Sequence, residues 1–456
     1  MIRIRPASQE STVSAVPYPT ARRTGADPGR RRVLAGLFGL PVVAAGGLTG
    51  CRSEPAALVE SGPVELSVFW WGSARRAQLT EQALRLYSDR NPQVTFRVTW
   101  QGLDGYYQRL ATQAVGGNVP DLFQIDDTFL TEYARRDILL DLTGYAADHR
   151  LDLSGLPDGL VRYGQVAGRT MAVAAAQNSA GLVFNRDLLA RLRQPAPRSG
   201  MSYPEYLTWA ARVTDASDGR VAGTMDPSGD HRALWLWLRS RGKEFYQGRK
   251  LGFDSPELID WFELWQRART ARATPSAALV QQANGGEPAR QLVVTGHTAA
   301  SFAWSNQLVE LQRHSRDELG IVSCPGPAAA QWARASMYWA GFRGTRHPDV
   351  VADVINFLTT NVAAGRVLGY DRGLSPHLNI RKFVEPTIRD ASVRASAAFE
   401  LSVADTFGTA PPPPPTGHAR IRELLITTAE SVQAGRSTIR AAAWRFMAQA
   451  AAALAA

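Results

Sequence analysis

Residues 64–70, Val-Glu-Leu-Ser-Val-Phe-Trp, alternate apolar and polar side chains over most of their length and so predict a β-strand with one buried face. A helical spacing of apolar residues follows over 75–89. The pattern then repeats as a strand over 94–100, a helix over 104–114 and a strand over 120–125. Strands that alternate with helices predict an α/β fold, in which mostly parallel sheets are flanked by helices.

The size and charge of the chain narrow the classes of protein it can be. With 456 residues and 45% hydrophobic composition, the chain is long enough for two lobes of ordinary domain size. The formal net charge is +10, but seven arginines against Glu10 and Asp27 place +5 of it in the first 50 residues. The remaining basic residues are scattered and no recognition motif accompanies them, so we expect no nucleic-acid partner.

The first 50 residues have the layout of a signal peptide. A twin-arginine-like run over 30–32 precedes an uncharged, apolar and glycine-rich stretch over 33–47, which is too short to span a bilayer as a helix. The stretch ends in Leu-Thr-Gly-Cys, which resembles a bacterial lipobox with Cys51 as the acylated residue. We therefore expect residues 1–50 to be a signal peptide and 51–62 to be the acylated cysteine and a flexible tether. The protein would then be extracytoplasmic, anchored to the outer face of the cytoplasmic membrane.

The ends of the predicted strands carry the first candidate ligand-binding residues. In α/β sheets, ligands bind in the crevice beyond the carboxyl ends of the strands. Trp71 follows the first strand, and Asp126 and Asp127 follow the third. An Asp at the start of a helix is also a common N-cap, so Asp127 has a purely structural alternative.

Five segments of the chain resemble the extracellular solute-binding proteins, family 1, of ATP-binding-cassette (ABC) sugar importers. The segments are 68–72, 120–123, 181–188, 295–304 and 339–358. The resemblance runs from about residue 63 to the C-terminus. It implies a two-lobed, periplasmic-binding-protein-like α/β fold, with the lobes joined by several hinge crossings and the ligand held between them.

The resemblance also implies a division of the chain into lobes. We expect 63–172 with 299–325 to form the N-terminal lobe, and 173–298 with 326–456 to form the C-terminal lobe. The acidic residue that maltose-type members carry on the first crossing is replaced here by Gln177-Asn178. This replacement argues against an inherited maltose specificity.

A sugar site needs flat aromatic rings for stacking and amide or carboxylate groups for paired hydrogen bonds. Trp235, Trp237, Trp261 and Trp265 lie inside helical patterns and are expected in the core. The candidate ligand-binding residues are Trp71, Asp126, Asp127, Asn178, Asp230, Trp304, Trp339, Asp371 and Arg372.

Together these features predict a substrate-binding lipoprotein of an ABC importer. It would be a monomer without cofactor, metal or catalytic residues, which captures a carbohydrate or related polyhydroxylated solute and delivers it to a membrane permease. A secreted glycoside hydrolase is the main alternative, with Asp126 and Asp127 as its carboxylates, although neighbouring residues at a strand end point in opposite directions. A scaffold or adhesion protein without a small ligand is a third hypothesis. The seven histidines show no metal-binding spacing, and Cys324 is expected to be an inert buried thiol.

Overall fold

A computed structural model describes residues 62–283 and 287–455 of the chain. The predicted signal peptide and Cys51 lie outside the described residues. The strands are β1 Val64–Trp71, β2 Val94–Gln101, β3 Leu122–Ile125, β4 Gln165–Val166, β5 Arg169–Thr170, β6 Val173–Asn185, β7 Tyr246–Gln247, β8 Lys250–Leu251, β9 Ala300–Trp304, β10 Leu319–Ser323 and β11 Ala333–Gly341.

Helices separate most of these strands. They are α1 Ala74–Ser88, α2 Tyr106–Val115, α3 Asp127–Arg135, α4 Thr143–Ala147, α5 Asp158–Tyr163, α6 Arg186–Arg191, α7 Tyr203–Ala216, α8 His231–Ser240, α9 Ser255–Thr270, α10 Ala277–Ala283, α11 Leu292–Thr295, α12 Gln307–His314, α13 Pro348–Thr360, α14 Val362–Leu368, α15 Leu378–Val384, α16 Ala391–Val403, α17 His418–Gln433 and α18 Ile439–Ala455. Short 3₁₀ turns occupy Pro288–Arg290, Ala328–Ala330 and Glu385–Thr387.

The first strands and helices confirm the expected alternation of strand and helix. β1 pairs in parallel with β2 and with β3, so the carboxyl ends of these strands lie at one edge of the sheet. The same sheet continues from β3 to β11 and then to β6, and both of these pairings are antiparallel. The α/β class is confirmed, and the sheet is mixed, with its parallel part confined to β1, β2 and β3 among the described strands.

Strand β6 is shared by the two halves of a seven-stranded sheet. Its first half, Val173 to Ser179, pairs with β11, whereas its second half, Ala180 to Asn185, pairs with β9 on one side and β10 on the other. We call the pairing of β1, β2, β3 and β11 with the first half of β6 the N-terminal half-sheet. The pairing of β9 and β10 with the second half is the C-terminal half-sheet. A single continuous strand therefore connects the two halves of the fold.

The strand pairing corrects the expected division into lobes. Residues 299–325, expected in the N-terminal lobe, hold β9 and β10 of the C-terminal half-sheet. β11, expected in the C-terminal lobe, pairs with β3 in the N-terminal half-sheet, and α13 packs on it. Alternation within a strand shows that it is half-buried but does not show which neighbour it pairs with.

Residues 292–304 alternate apolar and polar side chains around Gly296, a pattern that predicts one strand, but the structure divides them. Leu292–Thr295 is a helical turn instead, and only Ala300–Trp304 is a strand. Gly296 has a φ of 76°, the left-handed conformation with which a glycine commonly ends a helix. The tryptophans expected in the core, Trp235, Trp237, Trp261 and Trp265, are all buried, as is Cys324.

A buried polar network surrounds the middle of β6. The Glu400 carboxylate on α16 accepts hydrogen bonds from Gln177 Nε2 (2.9 Å) and from Ser179 Oγ (3.0 Å). It also accepts one from Ser305 Oγ, one residue beyond β9. Arg381 Nη2 donates to the other end of the Gln177 amide, to Oε1 at 2.7 Å. These bonds satisfy polar side chains at the point where β6 leaves one half-sheet for the other.

None of the helices in the described part of the chain has both the length and the apolar character needed to cross a membrane.

We expect Glu400 to make the free energy of unfolding depend on pH. Burial raises the pKa of the Glu400 carboxyl, and hydrogen bonds from Ser305, Gln177 and Ser179 offset this effect only in part. The folded state therefore binds this proton more tightly than the unfolded state. The proton's contribution to the free energy of unfolding is present at low pH and is lost as pH rises through the raised pKa. Each unit by which the pKa is raised adds about 1.4 kcal/mol to this pH-dependent part of the free energy of unfolding.

Urea unfolding of wild type and Glu400→Gln between about pH 4 and about pH 8 tests this prediction. The variant should lose this part of the pH dependence and gain stability relative to wild type as pH rises. Glu423→Gln, at an exposed site on α17, is the matched control and should follow wild type. Parallel pH curves for wild type and Glu400→Gln would contradict the prediction.

Candidate ligand-binding site

Asp126 and Asp127 lie where β3 gives way to α3. Asp126 is the N-cap of α3, and its Oδ1 accepts a hydrogen bond from the Thr128 backbone N–H at 3.0 Å. Its own backbone N–H donates to the Tyr107 hydroxyl at 2.9 Å. Burial, and then the neighbouring Asp127, raises the pKa of Asp126 despite the opposing positive charges nearby. The helix cap therefore falls on Asp126, which leaves the side chain of Asp127 available for a different contact.

Asp127 forms a buried ion pair with an arginine of a different strand. Its Oδ2 lies 3.1 Å from Nη1 of Arg334, at the start of β11, and also accepts a hydrogen bond from the Tyr163 hydroxyl at 3.1 Å. Burial opposes the charge of Arg334, but Asp127 outweighs it and the pKa of Arg334 is raised. Both charged side chains are thus held in one geometry inside the protein.

The ring of Trp304, at the end of β9, is in contact with two guanidinium groups. The Arg334 guanidinium lies 4.4 Å from the ring centroid and the Arg232 guanidinium 4.9 Å from it. These distances are those of cation–π contacts. β11 places Arg334 opposite Asn178 and β9 places Trp304 opposite Ala180, so neighbouring residues of β6 bring the two side chains together.

Asp230 and Arg232 complete this group from the start of α8. Asp230 is the N-cap of α8, and its Oδ1 accepts from the Arg232 backbone N–H at 2.8 Å and from Arg232 Nε at 2.9 Å. Burial acts to raise the pKa of Asp230, but Arg232 outweighs it and the pKa is lowered. We call the connected residues Asp126, Asp127, Asp230, Arg232, Trp304 and Arg334 the Trp304 cluster.

Arg422 on α17 borders the Trp304 cluster. Its Nη1 donates to Thr128 Oγ1 on α3 at 2.8 Å. Two imidazoles lie nearby, those of His231 and His418, with their ring centroids 5.1 Å apart. Burial and then the Arg422 charge lower the pKa of both histidines well below the usual value. Both rings are therefore neutral at pH 7.

Trp71 and Asp371 belong to a second group at the end of β1. Arg76 on α1 joins them, because its Nε lies 2.6 Å from Asp371 Oδ2 and its Nη1 donates to the Trp71 carbonyl at 3.3 Å. The Trp71 ring also contacts Tyr107, with centroids 5.8 Å apart. Because Tyr107 accepts the Asp126 N–H, this second group adjoins the Trp304 cluster.

Arg372 is buried in this second group rather than exposed to a ligand. Its Nε donates to Gln124 Oε1 at 3.0 Å and its Nη2 to Thr80 Oγ1 at 2.9 Å. Burial, followed by the nearby Arg76 charge, lowers the pKa of Arg372 to about 9. We call Trp71, Arg76, Gln124, Asp371 and Arg372 the Arg372 cluster.

A glycine positions the turn that carries Asp371 and Arg372. Gly373 has a φ of 125°, and a Cβ at this position would lie 2.4 Å from the carbonyl oxygen of Gln177. The turn docks on β6 through two backbone hydrogen bonds between Leu374 and Gln177, of 2.7 and 2.9 Å. Only glycine permits this approach, and the approach brings Arg372 to Gln124.

Trp339 was expected among the ligand-binding residues, but its side chain is buried. It is 1% exposed, lies opposite Gln124 in the β3–β11 pair, and has the Arg372 guanidinium 5.1 Å above its ring. The structure therefore places Trp339 in the core beneath Arg372. Strand alternation alone could not distinguish this buried face from the cleft, because β11 is buried on both faces.

Asn178 lies in the middle of β6, beside Arg334. Its Nδ2 donates to Asn306 Oδ1 at 3.0 Å, and Asn306 Nδ2 in turn donates to the Arg372 carbonyl at 3.4 Å. The Oδ1 of Asn178 is buried and has no hydrogen-bond partner among the described residues. A buried acceptor without a donor is costly.

The sequence analysis did not identify the arginines in and beside the Trp304 cluster, namely Arg232, Arg334 and Arg422. Arg334 carried a usable signal, because an arginine within a run of small and apolar residues implies a buried partner. Arg422 carried none, since it lies on an amphipathic helix among other charged residues.

The described residues contain no group of three or more His, Cys, Asp or Glu side chains placed to hold a metal ion. The Trp304 cluster instead combines a half-buried aromatic ring with guanidinium groups and carboxylates. These are groups that bind hydroxyl-rich or charged solutes.

Comparison with known proteins identifies the relatives of this fold. The family model described as "Bacterial extracellular solute-binding protein" matches residues 72–365. The chain is similar to an extracellular solute-binding protein family 1 from Alicyclobacillus acidocaldarius, with 24% identity, a TM-score of 0.68, and coverage of 87% of this chain and 100% of that one.

Two further solved structures are similar. One is a periplasmic oligogalacturonide-binding protein from Yersinia enterocolitica in complex with saturated digalacturonic acid, at 18% identity and a TM-score of 0.72, covering 86% of this chain and 99% of that one. The other is an ABC substrate-binding protein from Listeria monocytogenes in complex with cycloalternan, at 17% identity and a TM-score of 0.71, covering 85% and 98%. The two-lobed α/β fold is thereby confirmed, and because the family model spans well over half of its length, the chain belongs to the bacterial extracellular solute-binding proteins.

Proposed function

We propose that the chain is the substrate-binding lipoprotein of an ABC importer, and that it captures a carbohydrate or related polyhydroxylated solute and hands it unaltered to a membrane permease. The Trp304 cluster carries this proposal. It combines one aromatic ring from the C-terminal half-sheet with the Asp127–Arg334 pair from the N-terminal half-sheet. A solute bound there would contact both halves of the fold and favour their closure.

The relatives support a saccharide as the solute. The Yersinia and Listeria proteins are described as complexes with saturated digalacturonic acid and with cycloalternan. The contacts of Asp127 speak against the hydrolase alternative, because the carboxylate is already engaged by Arg334 and Tyr163. Asp126 is likewise engaged, as the N-cap of α3, so neither carboxylate is free of protein contacts.

A thermal-shift screen tests the function directly. Full-length protein in mild detergent is heated with neutral and acidic mono-, di- and oligosaccharides and polyols, and any ligand that stabilises the protein is then recovered. A ligand at 100 times its dissociation constant should add about 2.7 kcal/mol to the free energy of unfolding. We expect at least one saccharide to stabilise the protein and to be recovered intact. Release of reducing sugar would indicate the hydrolase instead.

Trp304→Ala tests the site. Removing the ring should weaken saccharide binding by at least about tenfold, or about 1.4 kcal/mol, because the stacking surface is lost. Isothermal titration calorimetry measures the affinity. Trp444→Ala is the matched control, because Trp444 is 62% exposed on α18 and should leave affinity unchanged. Equal affinity for wild type and Trp304→Ala would remove Trp304 from the site.

We also propose that acylation of Cys51 anchors the protein to the membrane. The support is the sequence alone, in which an apolar stretch leads to Leu-Thr-Gly-Cys. In a bacterial host with a lipoprotein pathway, the wild-type protein should fractionate with membranes and Cys51→Ser should not, since a chain without acyl groups loses its anchor. Cys324→Ser is the matched control and should stay with the membranes. Membrane association of Cys51→Ser equal to that of wild type would contradict the proposal.

A further inference from the structure

We propose that the captured solute is an acidic saccharide, whose anionic group pairs with Arg422. This inference rests on the proposed function and names the class of substrate for the same site. It follows from an imbalance of contacts among the arginines around Trp304.

Two of the three arginines there already have a carboxylate partner. Arg232 is paired with Asp230, and Arg334 with Asp127. Arg422 differs, because the partner of its Nη1 is the neutral Thr128 hydroxyl. Within the described part of the chain, no carboxylate lies within 4.0 Å of the Arg422 guanidinium nitrogens. A guanidinium has five N–H donors, so most of the hydrogen-bonding capacity of Arg422 is unused by these contacts.

The groups that face Arg422 do not supply the missing charge. His231 and His418 are neutral, and Tyr246 is occupied by a hydrogen bond of 2.7 Å with the His418 ring. The remaining acid in the cluster is Asp126, which lies close enough for the Arg422 charge to oppose the rise that burial causes in its pKa, but its Oδ1 caps α3 and it forms no ion pair with Arg422. Asp230 is committed to Arg232. A half-buried cation is therefore left in a site that screens charge less than water does.

The position of Arg422 suits a solute held between the half-sheets. Its side chain extends from α17 to α3, the helix that begins at Asp126 and Asp127. A sugar ring stacked on Trp304 could direct a carboxylate, phosphate or sulfate substituent to Arg422, and a guanidinium binds each of these in a bidentate fashion. A neutral sugar would leave the cation without a partner, so the site would select against it.

Matched pairs of probes test the proposal by calorimetry on the full-length protein in mild detergent. The pairs are glucuronate with glucose, digalacturonate with galactobiose, and glucose 6-phosphate with glucose. The acidic member of at least one pair should bind about tenfold or more tightly than its neutral partner, and its affinity should fall as salt is raised. Comparison among the pairs distinguishes a carboxylate from a phosphate ester.

Variants of α17 assign the effect to one residue. Arg422→Gln should reduce the affinity for the acidic probe to that of its neutral partner, while Arg422→Lys, which keeps the charge but not the fork of donors, should retain part of it. Arg420→Gln is the matched control, because Arg420 is exposed on the same helix and paired with Glu423. Its affinities should equal those of wild type.

Several outcomes would overturn the proposal while leaving sugar binding intact. These are equal or tighter binding of the neutral partners by wild type, an equal loss for both members of a pair in Arg422→Gln, or binding of acetate or inorganic phosphate as tight as that of the acidic saccharide. The wild-type comparison decides the matter even if Arg422→Gln does not fold. If no saccharide of either kind binds, the proposed function itself fails.

Discussion

Strand β6 is the element on which the rest of the structure depends, because its two halves pair with different strands of the seven-stranded sheet. Polar side chains are buried where the pairing changes, and buried polar groups need hydrogen-bond partners. The Glu400 carboxylate meets this requirement by accepting from Gln177, Ser179 and Ser305. The network ties α16 and the segment after β9 to the middle of β6. The registers of β11 and β9 meet at this point of β6, on either side of Ser179 and Ala180.

Those registers build the Trp304 cluster. Asn178 and Ala180 lie two positions apart on β6, and they place Arg334 and Trp304 beside each other although the two residues come from different half-sheets. The ion pair from Arg334 to Asp127 then reaches the end of β3. Each charged group in this series of contacts is held by the next, so the ring of Trp304 and the polar groups around it have a fixed arrangement. Such preorganisation lowers the cost of binding.

The Arg372 cluster adjoins the Trp304 cluster through Tyr107. Gly373 allows the turn at Asp371 and Arg372 to approach the backbone of β6, and Arg372 then packs on Trp339 and bonds to Gln124. Asp371 is bound to Arg76 at the start of α1. The candidates Asp371, Arg372 and Trp339 are therefore parts of the scaffold behind the carboxyl ends of β1 and β3. Unlike these buried groups, Arg422 borders the Trp304 cluster and forms no ion pair within the described part of the chain.

Local patterns in the chain were enough to predict the α/β class, β1 to β3 with their helices, and the buried tryptophans of α8 and α9, because side-chain periodicity depends on near neighbours alone. They also placed Trp71, Asp126 and Asp127 at strand ends. Pairing between distant strands decided the rest. Because of this pairing, β9, β10 and β11 lie in other half-sheets than expected, and Trp339 is buried. The pairing also brings Arg334 to Asp127, about 200 residues away in the sequence. No local pattern records which residues meet across such separations, since register and ion pairing arise only when the sheets assemble.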